Sequence, residues 1–97
     1  MRNEIINTSN WNSEEVYIKV YENKVIITEL DLTFYFKKIY NEVLSEYVYI
    51  FTESDGETVI KVFEDEQDEY YEAIYEGMIR EARSPFEAMV QIIYNIY

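Results

Sequence analysis

Eleven tyrosines and five phenylalanines share 97 residues with twenty acidic side chains and only eight basic ones. This pairing constrains the chain strongly. The aromatic side chains demand a packed core, and the net charge of −12 demands that the surface be anionic. Hydrophobic residues make up 48% of the sequence, which excludes the disordered class despite the charge. The length suits one domain, residues 1–97, able to bury a single modest core without disulfides or metal. Two glycines and one proline imply regular structure joined by short turns.

The residues that are missing narrow the function. There is no cysteine, so disulfides, thiolate nucleophiles and zinc–thiolate sites are excluded. There is no histidine, which removes the commonest general base and the commonest transition-metal ligand. No Gly-rich phosphate loop, nucleophile elbow or HExxH motif is present, and no carboxylate pair stands out from the rest. The expectation is a non-enzymatic protein with no cofactor and no metal site. The first six residues lack a signal-peptide apolar region, and the longest uncharged stretch, Ala88 to Tyr97, is too short to span a bilayer. A cytoplasmic protein without membrane contact is expected.

Local patterns predict an α+β fold. Residues 1–13 read as a loose arm or a short strand. Val16–Tyr21 alternates as a half-buried strand should, and Val25–Leu30 follows a short polar break, so the two predict a hairpin of open register. Asp31 or Thr33 can cap a helix to about Tyr47, with Leu32, Phe36, Ile39, Val43 and Tyr47 as its apolar stripe. Tyr47–Phe51 and Thr58–Phe63 flank an Asp55-Gly56 turn signal and predict a second hairpin. A second helix is expected from about Glu66 to Ala82, acidic in its first turn and with Arg80 near its end. Ser84-Pro85-Phe86-Glu87 has the form of a capping box and opens a third helix to Tyr97. The expected order is β-β-α-β-β-α-α, one antiparallel four-stranded sheet carrying three helices. The third helix is apolar on several sides, so it is either buried, the favoured reading, or a homodimer interface.

The candidate binding residues lie in the acidic run. Residues 64–76 hold seven carboxylates, Glu64, Asp65, Glu66, Asp68, Glu69, Glu72 and Glu76, and no base. On a helix the run would cover roughly 20 Å, about one charge per 3 Å, close to the phosphate spacing along a DNA strand. Helical spacing would put Glu69, Glu72 and Glu76 on one face. Tyr70 is the tyrosine expected to be exposed among them, whereas Tyr71 and Tyr75 belong to the expected core stripe. The turn acids Asp55 and Glu57 would extend the same patch. Such a surface repels nucleic acid and anionic lipid and complements a basic protein, with tyrosine available for cation–π contacts. Charge that merely keeps a tyrosine-rich protein soluble is the plain alternative.

In size, acidity and tyrosine content the chain resembles small phage-encoded DNA-mimic inhibitors, including anti-CRISPR proteins, and is similar in kind to the acidic immunity proteins that neutralise nuclease toxins. The resemblance is compositional and rests on no motif. It implies an inhibitor in the cytoplasm of a host cell, whose acidic face occupies the nucleic-acid groove of a basic partner such as a nuclease or CRISPR effector. A small homodimer assembled through the third helix is the alternative in a different class.

Overall fold

The computed structural model describes residues 3–10, 12–65 and 69–97. Its elements are β1 (Asn3–Ser9), β2 (Glu15–Tyr21), β3 (Lys24–Ile27), a 3₁₀ turn (Thr28–Leu30), β4 (Leu32–Asn41), β5 (Glu46–Glu53), β6 (Val59–Asp65), β7 (Tyr70–Tyr75), β8 (Met78–Ala82) and α1 (Pro85–Ile96). The strands form one antiparallel sheet in chain order, each beside its sequence neighbours. The sheet curls into a half-barrel, and α1 lies in its hollow, touching β1 at one side and β6 to β8 at the other.

The expected four-stranded sheet with three helices is therefore corrected to eight strands and one helix among the described residues. The segment expected as a helix from 31 to 47 is β4 with its turn and the first residues of β5. Its apolar residues fit a three- and four-residue period, but Leu32, Phe34 and Phe36 also fit a period of two. Thr33, Tyr35 and Ile39 add the β-branched and aromatic character that packs well on a pleated surface. Pairing decides between the two patterns, since Phe34 faces Glu53 and Phe36 faces Phe51 across the ladder.

The expected acidic helix is a hairpin for a related reason. Tyr75 pairs with Met78, leaving a two-residue loop of Glu76 (φ 43°) and Gly77 (φ 84°). Both loop residues have positive φ, the signature of a type I′ turn, whose twist matches that of the flanking strands. Glycine meets this requirement without strain at the second position, whereas glutamate at the first is an uncommon choice that masks the signal.

Other local expectations hold in outline, although the strand expected over Val25–Leu30 ends at Ile27 and Thr28–Leu30 is the 3₁₀ turn. The hairpin of β2 and β3 forms, with Lys19 opposite Ile26, and so does that of β5 and β6 around Asp55-Gly56. The arm contains β1. The third helix is α1, with Ser84 extended (φ −140°) and its hydroxyl accepting the Glu87 N–H at 3.2 Å, and with Pro85 in the first turn. The Glu87 carboxylate accepts from the Ser9 hydroxyl at 2.6 Å, tying the helix start to β1.

The core is the inner face of the sheet pressed against α1. Val16, Ile18, Val25, Ile27, Phe34, Phe51, Ile60, Val62 and Ala73 alternate inward, and Ala88, Met89, Ile92 and Ile93 meet them from the helix. Phe86 packs edge-on against Phe36 and Phe51, with ring centroids 5.4 and 5.9 Å apart. Ile93 is fully buried, so the helix packs its apolar side on this sheet, as the favoured reading expected.

Candidate partner-binding face

Strand alternation sends neighbouring acids to opposite faces. Glu64 is opposite Tyr71 and shares the inner face with Val62 and Ile60. Asp65 is opposite Tyr70 and lies on the outer face with Phe63 and Glu72. Glu69 sits in the turn before β7 in the left-handed region (φ 54°). Glu66 and Asp68 lie outside the described residues.

The sheet also separates the candidates end from end. Asp65, Glu69 and Tyr70 lie where β6 turns into β7. Asp55 and Glu57 lie where β5 turns into β6, at the other end, together with Glu76 between β7 and β8. The six residues of β7 hold the two groups roughly 20 Å apart. Glu69, Glu72 and Glu76 therefore share no face, and Asp55 and Glu57 extend no patch with the acids of β6 and β7.

Glu64 is satisfied internally. The Tyr71 hydroxyl donates to its carboxylate at 3.1 Å, and the Lys38 ammonium stands 3.9 Å away. Lys38 also lies 4.4 Å from the Tyr47 ring centroid and 5.4 Å from that of Tyr49, so two aromatic faces and one carboxylate hold the cation. Burial, and then the negative charge of Glu64, push the Tyr71 hydroxyl up to about 12. Tyr71 and Tyr75 pack against the core, as expected.

Asp55 is committed to its turn. Its carboxylate accepts from the backbone N–H of Glu57 at 2.7 Å and more weakly from that of Thr58 at 3.5 Å. The Glu57 hydrogen bond holds its pKa below the ordinary carboxylate range. Glu53, buried in the same turn, accepts from the Asp55 N–H.

The acids that do converge lie at the end formed by the β4–β5 and β6–β7 turns. Register sets Asp65 opposite Tyr70 and Phe63 opposite Glu72, and Glu46, at the start of β5, lies at the same end beyond the Val48–Phe63 pair. Together they line a shallow pocket of about 270 Å³ whose remaining walls are Leu44, Phe63 and Ile74. Three carboxylates thus ring an apolar floor with a tyrosine at the edge. Among the described residues, no group of three or more Asp and Glu side chains is placed to hold a metal ion. The opening has the dimensions and polarity for the end of a long cationic side chain, with an aliphatic or planar part lying on the floor.

Sequence reasoning missed Glu46. It stands eighteen residues before Glu64, in a segment read as helical, and only the β5–β6 hairpin brings it to the pocket that Asp65 lines. Among the described residues, no helix is long and apolar enough to cross a membrane. No family model matches the chain, and no similar curated protein or solved structure is found for it.

Proposed function

We propose that this chain is a non-enzymatic inhibitor that docks the acidic end of its sheet on a basic nucleic-acid-handling protein, in place of nucleic acid. The observation that carries this reading is the pocket in which Glu46, Asp65 and Glu72 surround Phe63, Ile74 and Tyr70. Arginine and lysine side chains that normally grip phosphates have an alkyl stem and a charged head, and this pocket complements both parts. The net charge of −12 adds long-range attraction, which speeds association and makes it salt-sensitive. Glu69 extends the same end. Glu64, turned inward, and Asp55, Glu57 and Glu76, at the far end, are not part of the contact.

The test is retention of host proteins on the immobilised chain during a salt gradient, with two triple charge reversals run beside the parent. Asp65→Lys, Glu69→Lys and Glu72→Lys together should abolish retention of a basic nuclease or effector and relieve its inhibition. Asp55→Lys, Glu57→Lys and Glu76→Lys change the net charge equally and should retain most of the binding. Equal loss in both variants would reduce the reading to bulk charge. The identity of the captured protein separates a CRISPR effector from a nuclease toxin.

A further inference from the structure

Charge is segregated on the outer face of the sheet. Along β2 to β6 the outward positions hold Lys19, Lys24, Lys37 and Lys61, four of the five lysines in the chain. Outward carboxylates on these strands stand only at the strand ends, at Glu15, Glu46 and Asp65. Among the described residues none of the four lysines is ion-paired, whereas Lys38, which faces inward, meets Glu64. Register sets the four on one oblique line. Lys19 is opposite Ile26, two residues from Lys24, and Lys24 is opposite Tyr35, two residues from Lys37. Such diagonal neighbours stand about 7–8 Å apart. Lys37 is opposite Ile50 and Ile50 is opposite Lys61, so these two lysines are roughly 10 Å apart across two strand spacings. Aromatic rings are interleaved with the cations. The Lys24 ammonium lies 5.0 Å from the Tyr21 ring centroid. Tyr35, on the other side of Lys24, is 50% exposed, and beside it Lys37, Ile50 and Thr52 line a shallow hollow of about 140 Å³.

We propose that this outer face of β2 to β6 binds single-stranded nucleic acid, with phosphates along the line of lysines and a base on the Tyr35 ring. The cations call for an anionic ligand, and no carboxylate of the chain answers them. The exposed Tyr35 ring beside a hollow next to Lys37 calls for a flat ring close to the negative charge, which nucleotides have and inorganic polyanions lack. Curvature decides between a single strand and a duplex. A duplex is stiff over about 150 base pairs, so it would touch this convex face at a point, whereas a flexible strand follows the curve from one lysine to the next. The acids elsewhere in the chain oppose approach from a distance, so the contact is short-range and of modest affinity. The site shares no residue with the acidic pocket and needs no protein partner.

Fluorescence anisotropy of a labelled oligothymidylate of about twelve nucleotides, titrated with the pure protein to near-millimolar concentration at about 50 mM salt, tests the site directly. The parent should bind saturably. Lys37→Gln and Lys61→Gln should each weaken binding several-fold and should each lower the slope of log affinity against log salt by about 0.7, the value of one phosphate contact on a single strand. Lys38→Gln makes the same change of net charge on the inner face and should leave the affinity within about twofold of the parent's. Tyr35→Ala alters an exposed side chain, should keep the melting temperature near the parent's, and should weaken binding about fivefold or more through lost stacking. A duplex of the same length and inorganic polyphosphate should both bind more weakly than the single strand. A parent that shows no saturable binding, or equal losses from Lys38→Gln and Lys61→Gln, would overturn the proposal. So would polyphosphate that competes as well as the oligonucleotide while Tyr35→Ala has no effect.

Discussion

Glu64 and Asp65 are adjacent in the chain and lie on opposite faces of β6. Glu64 points toward the hollow of the half-barrel, where Lys38 and the Tyr71 hydroxyl use its charge. Asp65 points outward and walls the pocket with Glu46 and Glu72. On a helix such neighbours would stand about 100° apart and could share a broad stripe. On a strand they are separated by the thickness of the sheet. An acidic run in a strand is therefore two half-populations, of which the inner one faces the core and the outer one faces away from it.

The inner and outer faces should respond very differently to the same kind of change. Phe51 is fully buried on the inner face and packs on Phe36 and Phe86. Phe51→Ala should cost about 3–5 kcal/mol in chemical denaturation, because it removes both transfer energy and contacts around the vacated volume. Ile79→Ala on the outer face, where half of the side chain is already wet, should stay within about 0.5 kcal/mol. Similar losses at the two sites would mean that the outer face is also a packed interior, which would point to a constitutive dimer.

A pH titration sharpens the comparison on the inner face. The Tyr71 hydroxyl is raised from its ordinary value near 10 to about 12, so the folded state holds that proton more tightly than the unfolded chain does. The resulting stability is fully present below pH 10 and is lost as pH rises from there through about 12. Tyr71→Phe should remove this portion of the alkaline destabilisation. Tyr17 and Tyr94 are raised as well, so tyrosinate absorbance should show one fewer late-titrating tyrosine in the variant than in the parent. An unchanged alkaline profile would mean that Tyr71 is as accessible as a surface tyrosine.

A small expected effect of opposite sign tests whether outer-face acids are placed for stability. Glu72 stands directly opposite Glu81 across β7 and β8. Like charges so paired are unfavourable, so Glu81→Lys should stabilise the fold by about 0.2–1 kcal/mol, read from the denaturation midpoint. Destabilisation would show that Glu81 makes a contact of structural value, and that the outer acids are not selected for surface charge alone.

The chain by itself determined the elements whose signals are local. Asp55-Gly56 marks a hairpin turn, Ser84-Pro85 marks a helix start, and the alternation from Val16 to Tyr21 marks a strand, because each follows from the preferences of a few consecutive residues. The tyrosines expected in the core, Tyr71 and Tyr75, are also packed against it, since burying an aromatic ring is favourable in either kind of secondary structure. Tertiary structure decided the rest. From Leu32 to Tyr47 and from Tyr70 to Ala82 the apolar residues fit both a helical and an alternating period, and the ladder to neighbouring strands resolves the choice. The same pairing decides which acids meet. The β5–β6 hairpin brings Glu46 to the pocket it shares with Asp65, and β7 parts Glu69 from Glu76, because in a sheet proximity is set by the partner strand and not by spacing along the chain.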